Sequence, residues 1–259
     1  MIRLLGATLL SLLMTAAPAL AETIKIGVTP GTHEQVMELV RDIAKEKGLD
    51  IRIVAFSDYL MPNEALSSGD LDANAFQHQP YLDQQIAARG YRLTSVAKNF
   101  VEPMGIYSRK FTNLDALPDG ARIAIPNDPS NGGRALLLLQ GRGLIKVDPA
   151  TGLTPGVLDI VDNPRKFDFV EIDAAQLPRT LDDADAAAIN TNYALEAGLN
   201  PLKDTILMEN ADSPYANLIV VRAEDKDAPW VKTLVESYQN DRVRQYILDS
   251  FKGAVVPAF

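Results

Sequence analysis

Two periodicities take turns along this chain. Residues 23–28 alternate polar and apolar positions as a half-buried strand does, and residues 51–56 are rich in branched and aromatic side chains, as in a second strand. Between them Val36, Leu39, Val40 and Ile43 recur at the spacing of one helical face. A Thr32-to-Gln35 capping-box pattern opens that helix and Gly48 closes it. Strand, helix, strand predicts a mostly parallel sheet with helices on its faces.

The alternation continues with a helix over 63–68, a short strand over 72–76 and a helix over 79–88 that ends at Gly90. Strands over 93–97 and 101–107 follow, joined by a polar corner. After Phe111 the pattern restarts: a turn of helix at 114–117, a strand at 121–125, and a helix stopped by Gly141 and Gly143. A strand at 167–172, a helical stretch at 176–181, a buried strand at 186–189, a helix at 193–197 and a strand at 218–221 come next. The last helix, from Pro229, buries Val231, Leu234, Val235 and Tyr238. The breaks near 98–112 and 210–216 mark two crossings between α/β lobes. One lobe is expected to hold residues 22–106 and 214–259, the other 107–213. Two short crossovers make a hinge, and ligands favour the cleft at the carboxyl ends of strands.

Composition narrows the role. Arg3, an apolar run over 4–13 and Ala19-Leu20-Ala21 have the form of a secretory leader cleaved before Glu22. No later apolar run reaches the roughly 18 residues needed to span a bilayer, so a soluble mature protein is expected. The formal net charge is −9, and losing Arg3 with the leader makes it more negative, a poor balance for nucleic acid or anionic membranes. There is no cysteine, hence no thiol nucleophile, no cysteine-ligated metal and no disulfide.

Catalytic motifs are scarce. His33-Glu34 starts like a zinc helix, but position 37 is Met where a second His is needed. Neither a Gly-x-Ser-x-Gly elbow nor a phosphate loop occurs, and Asp182, Asp183 and Asp185 read as a solvated face. Binding has better candidates. Residues 125–139 run from strand through a Pro, Asn, Asp, Ser and Gly loop into a helix, with Asp128 placed as N-cap and Pro129 at the first helical position. Arg134 then lies in the first two turns, where the macrodipole gives a cation no support. It needs a partner: a ligand carboxylate held with loop N–H or Asn groups, or one of the chain's own acids. Tyr59, Phe76, His78 and Tyr81 cluster at neighbouring strand ends. Each alone suits a core, while together they suggest an apolar slot for a thioether or aliphatic chain. Asn190 and Asn192 supply uncharged donors and acceptors for an α-ammonium or carboxylate, unless they merely cap a helix. Asn217, at the second crossing, is a further candidate.

The stretches around Asp72–Leu82, Pro126–Arg134, Gln176–Asp183, Ile189–Ala194 and Ser213–Val220 closely resemble the NlpA-type substrate-binding proteins of methionine ABC importers, a likeness that runs from Thr23 to Phe259. The resemblance implies a two-lobe periplasmic binding protein, an α/β fold with a cleft between lobes. It implies that Arg134 holds a ligand carboxylate, that Asn190 and Asn217 help fix the α-amino acid group, and that Tyr59, Phe76, His78 and Tyr81 line the side-chain pocket. The ligand would be methionine, the L form with the D form left open. The partners would be an inner-membrane permease and its ATPase, with the binding protein a monomer using no cofactor or metal. Members usually carry a lipidated cysteine at the mature N-terminus, and Ala21-Glu22 stand there in this chain, so a freely diffusing periplasmic protein is expected. The alternatives are a binding protein for a methionine-containing dipeptide or another apolar amino acid, a periplasmic hydrolase using His78, or a surface-interaction protein.

Overall fold

The computed structural model describes residues 22–259, so the leader expected over 1–21 lies outside the described residues. The chain opens with β1 (Glu22–Val28), α1 (Thr32–Glu46), β2 (Leu49–Ala55), α2 (Met61–Ser68), β3 (Ala73–Asn74), α3 (Gln79–Arg89) and β4 (Leu93–Val101). A middle stretch follows: β5 (Gly105–Tyr107), β6 (Arg122–Pro126), α4 (Pro129–Gln140), β7 (Lys146–Val147), β8 (Ile160–Asp162), β9 (Asp168–Ile172), α5 (Leu177–Thr180), β10 (Ala186–Ile189), α6 (Thr191–Glu196) and β11 (Thr205–Met208). It ends with β12 (Ala216–Arg222), α7 (Pro229–Tyr238), α8 (Asp241–Phe251) and β13 (Val256–Pro257).

The strands sort by position in the chain. A six-stranded sheet in the order β13-β4-β12-β3-β1-β2 takes both chain ends, and a five-stranded sheet in the order β11-β5-β10-β6-β9 takes the middle. Parallel pairs β1–β2, β1–β3, β6–β9 and β6–β10 make one side of each sheet, out to the edge strands β2 and β9, and antiparallel strands are added on the other side. Both faces of each sheet are covered, so period-two residues serve two cores. Ile219 and Val221 pack with Ile26, Val36 and Leu234, while Leu218 and Val220 face Leu66, Leu71 and Leu82. In the other sheet Ala186 and Ala188 pack on Ile123 and Leu136, and Ala187 and Ile189 on Leu177 and Tyr193.

Several elements differ from the sequence expectation. The polar corner near Lys98 does not exist, since β4 runs unbroken to Val101. Lys98 points to solvent, and Asn99 is buried but bonded through its amide to the Leu218 carbonyl. Gly31, at φ 78°, is the N-cap of α1, so Thr32 is already helical and forms no capping box. The strand expected over 72–76 pairs only at Ala73 and Asn74, leaving residues 75–78 free to form a wall of the interior. Gly105 pairs with Ile189 and Met208, so the first crossing between sheets falls at 102–104 and the second at 209–215. The helix from Pro229 is followed by α8, whose exposure-rich sequence buries only Val243 and Ile247. Among the described residues no helix is long and apolar enough to cross a membrane.

Candidate functional site

All eight residues singled out from the sequence line one cavity between the two sheets: Tyr59, Phe76, His78, Tyr81, Arg134, Asn190, Asn192 and Asn217. Gln77, Glu102, Asn131 and Thr191 complete the wall, and about 340 Å³ lies between the atoms. That figure includes open solvent at the mouth; the room for the centres of water-sized spheres is about 20 Å³, so the walls stand close together. The loop between β3 and α3 delivers Phe76, Gln77 and His78, and an isolated antiparallel bridge ties His78 to Asn217 on β12. The other sheet delivers Asn131 and Arg134 on α4, and Asn190 to Asn192 where β10 passes into α6. Glu102 stands on the first crossing.

The wall from the six-stranded sheet is an aromatic slot. Tyr59, Phe76 and Tyr81 stand with ring centroids 6.0 Å apart, and Tyr193 backs Tyr59 at 4.9 Å. The hydroxyls bond within the protein: Tyr81 donates to the Tyr59 carbonyl at 2.9 Å, Tyr59 to Asn192 Oδ1 at 2.6 Å, and Tyr193 to the Ser57 carbonyl at 3.2 Å. Burial, the largest cause for each, holds all three phenols above their ordinary pKa. The rings therefore turn apolar faces inward. Behind them Asn63, Asn74 and Gln77 form a closed amide cluster. Asn63 Nδ2 donates to Gln77 Oε1 at 2.8 Å, Gln77 Nε2 to Asn63 Oδ1 at 2.6 Å and Asn74 Oδ1 at 2.9 Å, and Asn74 Nδ2 to Asn63 Oδ1 at 2.9 Å. The amides of this motif hold the loop in shape.

The polarity of the opposite wall starts at Asp128. Its side chain caps α4 by accepting from the Asn131 backbone N–H at 2.9 Å, and its two oxygens also accept from Asn131 Nδ2 at 3.1 and 3.0 Å. Burial raises the Asp128 pKa, with these hydrogen bonds opposing the rise. The helix-start groups expected to hold a ligand carboxylate are thus bonded to Asp128 itself. With its NH₂ committed, Asn131 can only accept at Oδ1, and it does so from His78 Nε2 at 3.2 Å and Asn190 Nδ2 at 2.8 Å. His78 Nδ1 accepts the Tyr81 backbone N–H at 3.2 Å, the N-cap of α3, so both its nitrogens are engaged. Burial, with the Arg134 charge adding to it, pushes the His78 pKa down to about 3. Asn190 sits at the N-cap of α6 without capping it through its side chain, and Asn192 lies inside that helix.

Arg134 has found a partner within the chain. Its Nε donates to Glu209 Oε1 at 3.1 Å, its Nη2 to Glu209 Oε2, and Nη2 also to the Glu102 carbonyl at 2.9 Å. The guanidinium lies 4.3 Å over the Tyr215 ring, whose phenol burial pushes up to about 12 against the pull of Arg134. The fork expected to grip a ligand is held by Glu209, and Nη1 alone makes no hydrogen bond to a described residue. Gly132 and Gly133 let α4 come this close, since a Cβ on them would meet the Pro126 and Leu153 carbonyls at 2.7 and 2.8 Å.

Gln77, Glu102, Asn131, Thr191 and Glu209 were not singled out from the sequence. For Glu102 there was a signal: a lone carboxylate inside the apolar run Phe100, Val101, Pro103, Met104. His33 Nε2 donates to its Oε2 at 3.0 Å, and Asn217 Nδ2 approaches the same oxygen at 3.4 Å. Among the described residues no group of three or more His, Asp or Glu could hold a metal ion.

The profile of the NlpA lipoprotein family matches residues 24–259. D-methionine-binding lipoprotein MetQ of Salmonella typhimurium (strain LT2) is 56% identical over 236 residues, covering 90% of this chain and 87% of the relative. Its namesake from Escherichia coli K12 is 53% identical with the same coverage. A nutrient-binding protein from Burkholderia cenocepacia, solved bound to methionine, superposes with a TM-score of 0.89 at 54% identity, covering 91% of this chain and 100% of that one.

Proposed function

The chain belongs to the NlpA lipoprotein family, and from that premise we propose that it is the substrate-binding protein of an ABC importer that closes on methionine. The cavity carries this reading: an aromatic slot on one side, and on the other a guanidinium and amides with hydrogen-bonding capacity to spare. The thioether lies among Tyr59, Phe76 and Tyr81, and the carboxylate meets Arg134 Nη1 with Asn192 Nδ2, a buried donor with no partner among the described residues. Both sheets touch the ligand only when the lobes are together, so binding favours the closed form.

The lobe division that goes with this reading follows the two sheets, residues 22–106 with 214–259 against 107–213, except that β5 carries the first crossing back to 102–104. A permease and ATPase in the inner membrane receive the cargo from a periplasmic monomer. Binding is favoured over hydrolysis because His78, with one nitrogen capping α3 and the other donating to Asn131, has no lone pair free to take a proton. Mass spectrometry of small molecules released by denaturing the purified protein, with calorimetry against L- and D-methionine, tests the reading. Methionine recovered intact and bound stoichiometrically is expected. A different cargo, or conversion of added methionine, would overturn it.

A further inference from the structure

The hydrogen bond from His78 to Asn131 joins the two walls, and each wall fixes its own end of that bond by local means. On the six-stranded side, His78 Nδ1 lies 3.2 Å from the Tyr81 backbone N–H at the start of α3. A backbone N–H can only donate, so Nδ1 carries a lone pair and the proton of the neutral ring sits on Nε2. On the five-stranded side, four hydrogen bonds converge on the Asp128 carboxyl: from Ser130 Oγ at 2.9 Å, from the Asn131 backbone N–H at 2.9 Å, and from Asn131 Nδ2 at 3.1 and 3.0 Å. The Asn131 amide therefore turns its oxygen to the cleft. A donor set by one wall meets an acceptor set by the other, 53 residues away in the chain.

We propose that Asp128, which does not line the cavity, is a positioning residue for lobe closure: it holds Asn131 oxygen-outward, the one orientation that can latch onto His78. This rests on the closing of the lobes around methionine and deepens it. Replacing Asp128 by Asn keeps the cap of α4, because Asn caps a helix as well as Asp does. What changes is the group facing Asn131 Nδ2. An amide NH₂ can now stand there, and Asn131 turns over to accept from it, which points its own NH₂ into the cleft. Asn190 can follow by turning its amide, since its Oδ1 has no partner among the described residues. His78 cannot follow without giving up the Tyr81 N–H, so donor faces donor and the latch is lost.

The test is a cycle of Asp128→Asn, His78→Phe and the double variant in the full chain. Calorimetry uses L-methionine and 4-(methylthio)butanoate, which lacks only the amine and so reports the latch apart from the head group. Asp128→Asn should weaken both ligands by about tenfold or more, the cost of a buried donor left unpaired. In the His78→Phe background the same change should cost less than about threefold, since no donor remains to be opposed. Equal cost in both backgrounds, as a cap or a general loss of stability would give, overturns the proposal. So does no loss, or a loss seen with methionine alone. Should His78→Phe fail to fold, nitrogen NMR of the wild-type imidazoles decides. The chain has two histidines, told apart by the signals that His33→Gln removes, and those of His78 should show a protonated Nε2 and a lone pair on Nδ1. The reverse tautomer overturns the proposal. Wild type that binds neither ligand overturns the methionine reading instead, and the His78 tautomer then decides the latch by itself.

Discussion

On the wall from the six-stranded sheet, Asn63, Asn74 and Gln77 bond one another, and Tyr81 bonds the Tyr59 carbonyl. On the wall from the five-stranded sheet, Asn131 and Asn192 bond His78 and Tyr59 across the cleft, and Asn190 Oδ1 and Asn192 Nδ2 have no partner among the described residues. The amide cluster of the first wall is complete without the second, while its Tyr59 hydroxyl and His78 Nε2 reach across. The second reaches satisfaction only through contact with the first or with a guest. A self-contained wall can be rigid and shaped, suited to reading an apolar tail by fit, whereas the other couples head-group recognition to closure.

The largest expected effect tests the polar wall. Arg134→Ala should weaken methionine by about 2–5 kcal/mol, because it removes a charge-assisted donor and leaves Glu209, 11% exposed, without its partner. Adding Glu209→Ala should recover part of the accompanying stability loss in urea titrations but none of the affinity. Affinity close to wild type in the single variant would take Arg134 out of the site.

Phe76→Ala probes the other wall. The preference for methionine over alanine should fall by about 1–3 kcal/mol, since the slot loses one of its three rings while the head-group contacts remain. Calorimetry finding equal losses for both amino acids would show that the walls do not divide tail from head.

The pH dependence of stability bears on the join between them. With the folded His78 pKa pushed down to about 3 from an unfolded value near 6.5, the unfolded chain takes up the proton first as the pH falls. The contribution is complete above about 6.5 and is lost downward at about 1.4 kcal/mol per pH unit. Urea titrations between pH 6.5 and 5 should show a steeper decline in wild type than in His78→Gln, and parallel curves would mean that His78 is not buried against Asn131 and Arg134 as described.

How much of this was legible in the sequence follows the same division. The buried strand Ala186–Ile189 and helix α3, with Gly90 at its end, declare themselves through local pattern and punctuation. So did the aromatic wall, because Phe76, His78 and Tyr81 lie in one short stretch. Arg134 was recognisable as a cation in need of a partner, but Glu209 lies 75 residues away, on the second crossing. Chain order carries no trace of that pairing. Likewise β13 has two residues and α8 buries two, too few for a periodic signal. The polar corner read at Lys98 failed because one exposed Lys and one satisfied Asn in a strand look, residue by residue, like a turn.

The smallest effect isolates closure itself. Tyr59 O–H donates to Asn192 Oδ1 at 2.6 Å across the cleft, and its removal in Tyr59→Phe keeps the ring, hence the slot, and leaves the Asn192 acceptor unpaired. A neutral hydrogen bond of this kind contributes about 1 kcal/mol. Because the bond exists only with the lobes together, the loss should fall on the closed form and weaken methionine and 4-(methylthio)butanoate alike, by about fivefold each. Thermal unfolding of the ligand-free chain should shift less than that of the liganded one. A variant that loses methionine affinity alone would assign the hydroxyl to head-group recognition, and would erase the distinction between a slot that reads the tail and contacts that are made by closing.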